Sequence, residues 1–267
     1  VASFLVLWML ILRGISIELR SHLELPLWRG AWDVFFAIAS ILLPVLFGAA
    51  LGNLVRGLPL TREGWFSLPL FTDFSTRNPV GILDWYTVSA GVFALLAVAG
   101  HGATFLTWKT DGPVHDRSRR AALRLYLAVT VLWPLLTLAT AFVNAPMLEA
   151  LPRRPLAWLS LLLALGGLIS VHIGLRRERA LAAFLGSCAF LAGMLAATAA
   201  CVFPVMLRSV TPEAASLTAY NASVPAASLR TALSWWVVAF PLAVLYFVTQ
   251  FRLHRGKAIA AVEREGY

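Results

Sequence analysis

Charge is scarce in this chain. Only 13% of its 267 residues are Asp, Glu, Lys or Arg, where a soluble domain devotes about a quarter to them. Hydrophobic residues make up 60%, and the mean hydropathy is +0.78. The apolar residues fall in runs too long for strands, which excludes both a soluble enzyme and a β-sheet fold. Cysteine is nearly absent. Cys188 and Cys201 share one apolar run, and thirteen helical residues hold them roughly 20 Å apart, too far to bridge. They read as small, unpaired thiols. Carboxylates are missing from the middle of every run, because all thirteen acids lie in loops or at run edges. A proton pump or ion-coupled transporter places a carboxylate near mid-membrane, so the visible sequence speaks against that role. No Ser–His–Asp arrangement, phosphate loop, CxxC or metal-ligand spacing occurs. No catalytic residue and no metal site are therefore assigned.

What is present is a series of apolar spans: roughly 34–51, 86–108, 121–144, 156–175, 181–204 and 233–251. Each is long enough to cross the hydrocarbon core, which is about 30 Å thick. A shorter run, VASFLVLWMLIL, comes first and meets Arg13 after twelve residues, or about 18 Å of helix. It has neither the leading positive charge nor the trailing small residues of a signal peptide. It reads as a helix entered partway, and the sequence as a fragment of a longer protein. The expected fold is all-α: a polytopic transmembrane bundle of about seven spans, the first partial, forming one domain over 1–267. Pro44, Pro134, Pro204 and Pro241 fall within or at the ends of spans, where neighbouring helices can satisfy the freed carbonyls. Gly48 and Gly52 form a GxxxG pair that permits close helix contact, with ordinary small-residue packing as the plainer reading.

The net charge is +9, but the basic residues form no face or stripe for nucleic acid. They cluster in short loops. Fourteen lie in one alternating set of loops, from Arg13, Arg20 and Arg29 to Arg252, Arg255, Lys257 and Arg264, against seven in the other set. The bias places the first set, with the C-terminus, in the cytoplasm. Two outer loops are long, about 52–85 and 205–232. The first carries Trp65, Phe66, Phe71, Phe74, Trp85 and Tyr86, read as an interfacial aromatic belt.

Two histidines lie inside spans, His101 and His172, both towards the cytoplasmic ends of their helices. At similar depth they are candidate haem ligands, weighed against packing or hydrogen-bonded histidines. Gly100 and Gly102 around His101 favour packing. At the first cytoplasmic connection, Arg13, Glu18, Arg20, Trp32 and Asp33 read as headgroup contacts or as carboxylate–arginine pairs fixing a helix end.

The stretch Ile11-Leu12-Arg13-Gly14, with Glu18, Arg20 and then Trp28-Arg29-Gly30-Ala31-Trp32-Asp33, resembles subunit II of the cytochrome bd quinol oxidases. The same order continues through Gly48-Ala49-Ala50-Leu51-Gly52-Asn53-Leu54-Val55-Arg56-Gly57-Leu58-Pro59, Asn78-Pro79 and Gly100-His101-Gly102-Ala103-Thr104. Lys109-Thr110-Asp111-Gly112, Phe203-Pro204 and Asn221-Ala222-Ser223 complete it. The resemblance implies a nine-helix subunit whose first two helices have no counterpart here. It implies a haem-free chain in a bacterial cell membrane, paired with a haem-bearing subunit I that carries haems b and d, oxidises quinol and reduces oxygen to water. A small accessory subunit and a bound quinone are further implied partners. Arg13, Glu18, Trp32 and Asp33 match family positions, as structural or proton-access candidates. The rival reading is a permease or transporter subunit, whose support is the polytopic architecture alone.

Overall fold

The computed structural model of the chain describes residues 2–77, 79–211 and 214–258. Asn78 and Arg264, both invoked above, lie outside the described residues. Long helices dominate: α1 (Ala2–Arg20), α2 (Pro26–Arg56), α3 (Trp85–Lys109) and α4 (Gly112–Val143). A short α5 (Ala145–Ala150) and a 3₁₀ turn (Leu151–Arg153) lead to α6 (Pro155–Arg176) and α7 (Ala180–Val202). A small antiparallel ribbon, β1 (Val205–Leu207) with β2 (Leu217–Thr218), precedes α8 (Ala226–Leu253). Among the described residues six helices, all the long ones except α1, are long and apolar enough to cross a membrane.

The helices outrun the apolar spans, for a local reason. α2 starts at Pro26, ahead of residue 34, and α4 at Gly112, ahead of residue 121, each with a proline in its first two positions. Proline's fixed φ suits the first turn, where its missing N–H is no loss. Hydropathy marks where a helix meets lipid and says nothing of polar turns beyond it. α1 likewise continues past Arg13 to Arg20. Pro204, in turn, follows the end of α7.

Consecutive long helices run up and down. α1 packs on α2, α2 on α3, α3 on both α4 and α7, and α6 most extensively on α7. The core sits among α3, α4, α6 and α7, around the buried Tyr126, Val129, Leu168, Val171 and Phe190. Glycine sets how closely the helices approach. A Cβ on Gly48 would lie 2.7 Å from the Ala90 carbonyl oxygen of α3, so the GxxxG pair is a true close crossing. The α6–α7 seam is tighter still. Gly167 on α6 faces Gly186 on α7, Gly174 faces Ala183, and Gly193 on α7 faces Ala164; a Cβ on Gly174 would come within 2.6 Å of Ala183 N. The spacing of seven on each helix keeps each pair on one face. With lipid on the outside, such dispersion contact is what holds helices together.

The loops fall alternately at two ends. The arginine-rich end holds Arg20, Lys109, Arg119, Arg176 and Arg252. The opposite end carries the two long connections, residues 57–84 and 203–225, which meet each other. Leu58 N donates to Arg208 O at 2.8 Å, and Val210 N donates to Leu58 O at 3.0 Å. Trp65, Phe66, Phe71 and Phe74 are exposed there, consistent with an interfacial belt. Tyr86 departs from that reading: it is buried in the first turn of α3, its hydroxyl 2.9 Å from Thr140 Oγ1 of α4.

α8 stands apart. None of its residues is buried. It is tied to the rest at its arginine-rich end, where Lys109 Nζ donates to His254 O at 3.0 Å and Ala258 N donates to Lys109 O at 2.7 Å.

Candidate functional site

The four family-matched residues share one helical hairpin. The turn between α1 and α2 is closed by Trp28, whose indole N–H donates to Leu19 O at 2.6 Å. This places Asp33 against Arg20, with Nε to Oδ1 at 2.6 Å. Both groups are about half exposed, so the pair is worth only ~0–1 kcal/mol where water reaches it. Trp32 meets Trp28 edge-on and Phe35 at a tilt, at ring distances of 5.6 and 5.5 Å. Arg13 lies with its guanidinium 5.4 Å from the centroid of the Phe36 ring, a cation–π geometry. Glu18 is exposed, and its carboxylate makes no hydrogen bond or ion pair among the described residues. Three of the four thus fix the hairpin, and Glu18 stands free beside them.

The two histidines occupy different seams. His101 on α3 faces α7: its Nδ1 is 2.7 Å from Ser187 Oγ, and its ring stacks on Phe184 at 5.2 Å. His172 on α6 faces α4, with Nε2 2.9 Å from Thr130 Oγ1. Each imidazole has one ring nitrogen engaged by a hydroxyl. Gly100 lies against the Tyr126 ring, whereas Gly102 meets open space, so only the first of the flanking glycines serves close packing. Among the described residues no group of three His, Cys, Asp or Glu side chains is placed to hold a metal ion. Cys188 and Cys201 are both free.

The most developed polar site lies where the sequence leads one to expect only a loop. Arg56, the last residue of α2, is 1% exposed and pairs through Nη1 with Asp84, which is fully buried. The guanidinium also donates to Gly81 O at 2.9 Å and to Asn53 Oδ1 at 2.7 Å. Asn53 in turn donates to Ala49 O and Ile82 O. Asp84 caps α3, its Oδ1 accepting from the backbone N–H of Tyr86 and Thr87, while Thr87 Oγ1 accepts from Asp84 N. Every polar atom in the cluster has work to do, which is what a buried ion pair requires if it is not to destabilise. Positive-inside counting treats Arg56 as a loop charge. The signal that would have found the cluster is Asp84-x-x-Thr87 immediately ahead of an apolar run, an N-terminal capping pattern.

Comparison with known proteins bears on the whole of this arrangement. The profile of cytochrome bd terminal oxidase subunit II matches residues 1–254. The chain is 28% identical over 273 residues to the cytochrome bd-I ubiquinol oxidase subunit 2 of Escherichia coli K12, covering 92% of this chain and 70% of that one. It is 27% identical over 151 residues to the cytochrome bd ubiquinol oxidase subunit 2 of Bacillus subtilis, covering 56% of this chain and 40% of the relative. Its fold superposes on a chain of the bd oxidase from Geobacillus thermodenitrificans with a TM-score of 0.67 at 17% identity, over 96% of this chain and 74% of that one. With six helices able to cross a membrane and a profile match along nearly all its length, this multi-pass membrane protein belongs to the cytochrome bd terminal oxidase subunit II family.

Proposed function

We propose that this chain is the haem-free subunit of a bacterial respiratory oxidase, supporting a haem-bearing subunit that oxidises quinol and reduces oxygen to water. The observation that carries the reading is the family match over residues 1–254. Quinol as the reductant rests on relatives named as ubiquinol oxidase subunits. A partner subunit is supported by the relatives being named subunit 2 of an oxidase. The haem-free role is supported by the in-span histidines, which lie in separate seams with hydroxyl partners. The arginine-rich end is assigned to the cytoplasm by the loop bias. In this reading the chain's own work is mechanical: it presents a rigid four-helix core and a polar outer cap against which the catalytic subunit is held.

The test is purification of the full-length protein through a C-terminal affinity tag, from native membranes that contain haem d. A haem d band in the reduced-minus-oxidised spectrum, with a larger stoichiometric partner by mass spectrometry, is the expected result. A haem-free preparation without a partner would refute the proposal. Within that complex, the double variant His101→Phe/His172→Leu is expected to leave the haem content per assembled complex unchanged. Loss of one haem equivalent would assign these histidines as ligands and overturn the haem-free role.

A further inference from the structure

α3 and α8 meet at the arginine-rich end, and there they leave a crevice of about 200 Å³. Its lining is Phe105 and Lys109 from α3, with Gln250, Phe251 and His254 from α8 and its C-cap. Phe105 is itself held edge-on against Trp108, at 6.0 Å, and packed on Phe184 at 5.4 Å, so one wall is firmly set. The mouth is cationic. Lys109 Nζ donates to two neutral acceptors, His254 O at 3.0 Å and Gly256 O at 3.2 Å, and lies 4.5 Å from the Trp108 ring centroid. An ammonium has three donors, so among the described residues one N–H and the whole positive charge are left without an anion. The neighbouring carboxylate, Asp111, is paired with Lys257. Arg252 and Arg255, next in sequence to the lining residues Phe251 and His254, are exposed; Arg255 Nε donates to Arg252 O at 3.1 Å, and neither has a carboxylate partner among the described residues.

We propose that this crevice is a binding site for an anionic phospholipid. An acyl chain lies between Phe105 and Phe251, and the phosphate sits on the free N–H of Lys109 within reach of Arg252 and Arg255. Three features favour lipid over a protein segment. The apolar walls lie at the end of two membrane-crossing helices, the one cation in the lining is Lys109, and the space is open on one side. The occupant would fix α8 to α3 where few side chains of the protein do so. This inference requires that the chain spans a membrane and that the crevice stays open to lipid in the full-length protein, so it is tested separately from the oxidase reading.

The experiment uses the complete complex, reconstituted in vesicles of equal parts phosphatidylglycerol and phosphatidylethanolamine and then extracted for native mass spectrometry. Retained phosphatidylglycerol is expected to exceed phosphatidylethanolamine by about fivefold, the ratio that one cation near a membrane surface gives. Lys109→Glu abolishes that preference, and Arg230→Glu at the opposite end does not. A photoreactive benzoylphenylalanine in place of Phe105 reports independently of whether Lys109→Glu assembles, and its expected product is a phospholipid adduct. Adducts confined to another polypeptide, no lipid preference in the wild type, or an unchanged preference in an assembled Lys109→Glu complex would each overturn the proposal.

Discussion

Asp84→Ala is expected to cost the protein about 3–5 kcal/mol, because it leaves the Arg56 guanidinium buried and unpaired. Arg56 is 1% exposed and Asp84 not at all, so no water is at hand to replace the lost carboxylate. The same change removes the cap of α3, which by itself is worth about 1 kcal/mol. The two contributions separate by substitution. Asp84→Asn keeps an acceptor for the Tyr86 and Thr87 amides and should be milder than Asp84→Ala by roughly that capping amount. The double change Arg56→Met/Asp84→Asn removes the charge as well as its partner, and it should recover most of the loss. Thermal unfolding of the purified complex, with the yield of assembled subunit, measures the series. A loss below about 1 kcal/mol for Asp84→Ala would mean that the cluster is hydrated and not the buried pair described here.

The second large effect is expected at neighbouring glycines of α6. A Cβ on Gly167 would lie 2.6 Å from the Gly186 carbonyl oxygen of α7, whereas one on Gly166 meets nothing within 4 Å. Gly167→Ala must push two backbones apart along the most extensive helix contact in the molecule. The cost of such overpacking is about 1–3 kcal/mol or more, and backbone atoms cannot swing aside as a side chain can. Gly166→Ala is expected to be neutral to within about 0.5 kcal/mol. Comparing the melting temperatures of the two variants gives a sharp reading, since the residues are chemically identical and adjacent. Equal effects would show that helix propensity, and not the seam, decides.

Much of this architecture is legible in the sequence. The deficit of charge and the length of the apolar runs are enough to specify crossing helices, because lipid leaves the backbone few other ways to satisfy its polar groups. Helix ends were less legible. Polar turns such as Gly112–Arg120 extend α4 beyond the lipid, and hydropathy does not see them. The paired glycines of α6 and α7 were present at a spacing of seven in consecutive spans, but glycines in a single helix do not announce which helix they will meet. Asp33 and Arg20 could be read as a candidate pair because a short turn brings them together. Arg56 and Asp84 could not, being separated by a 27-residue loop whose path no periodicity describes. A loop charge and a buried charge have the same letter, and only tertiary structure distinguishes them.

The isolation of α8 makes it a lever with one fixed end. Lys109 and Asp111 hold the chain at its C-terminal end, while no residue along its length is buried by the other described residues. The tilt and rotation of a membrane helix are set by the neighbours it packs against and by its interfacial anchors. Among the described residues the anchor is present and burying neighbours are not. The other crossing helices have their angles set by contacts within these residues, whereas the angle of α8 is set by contacts beyond them.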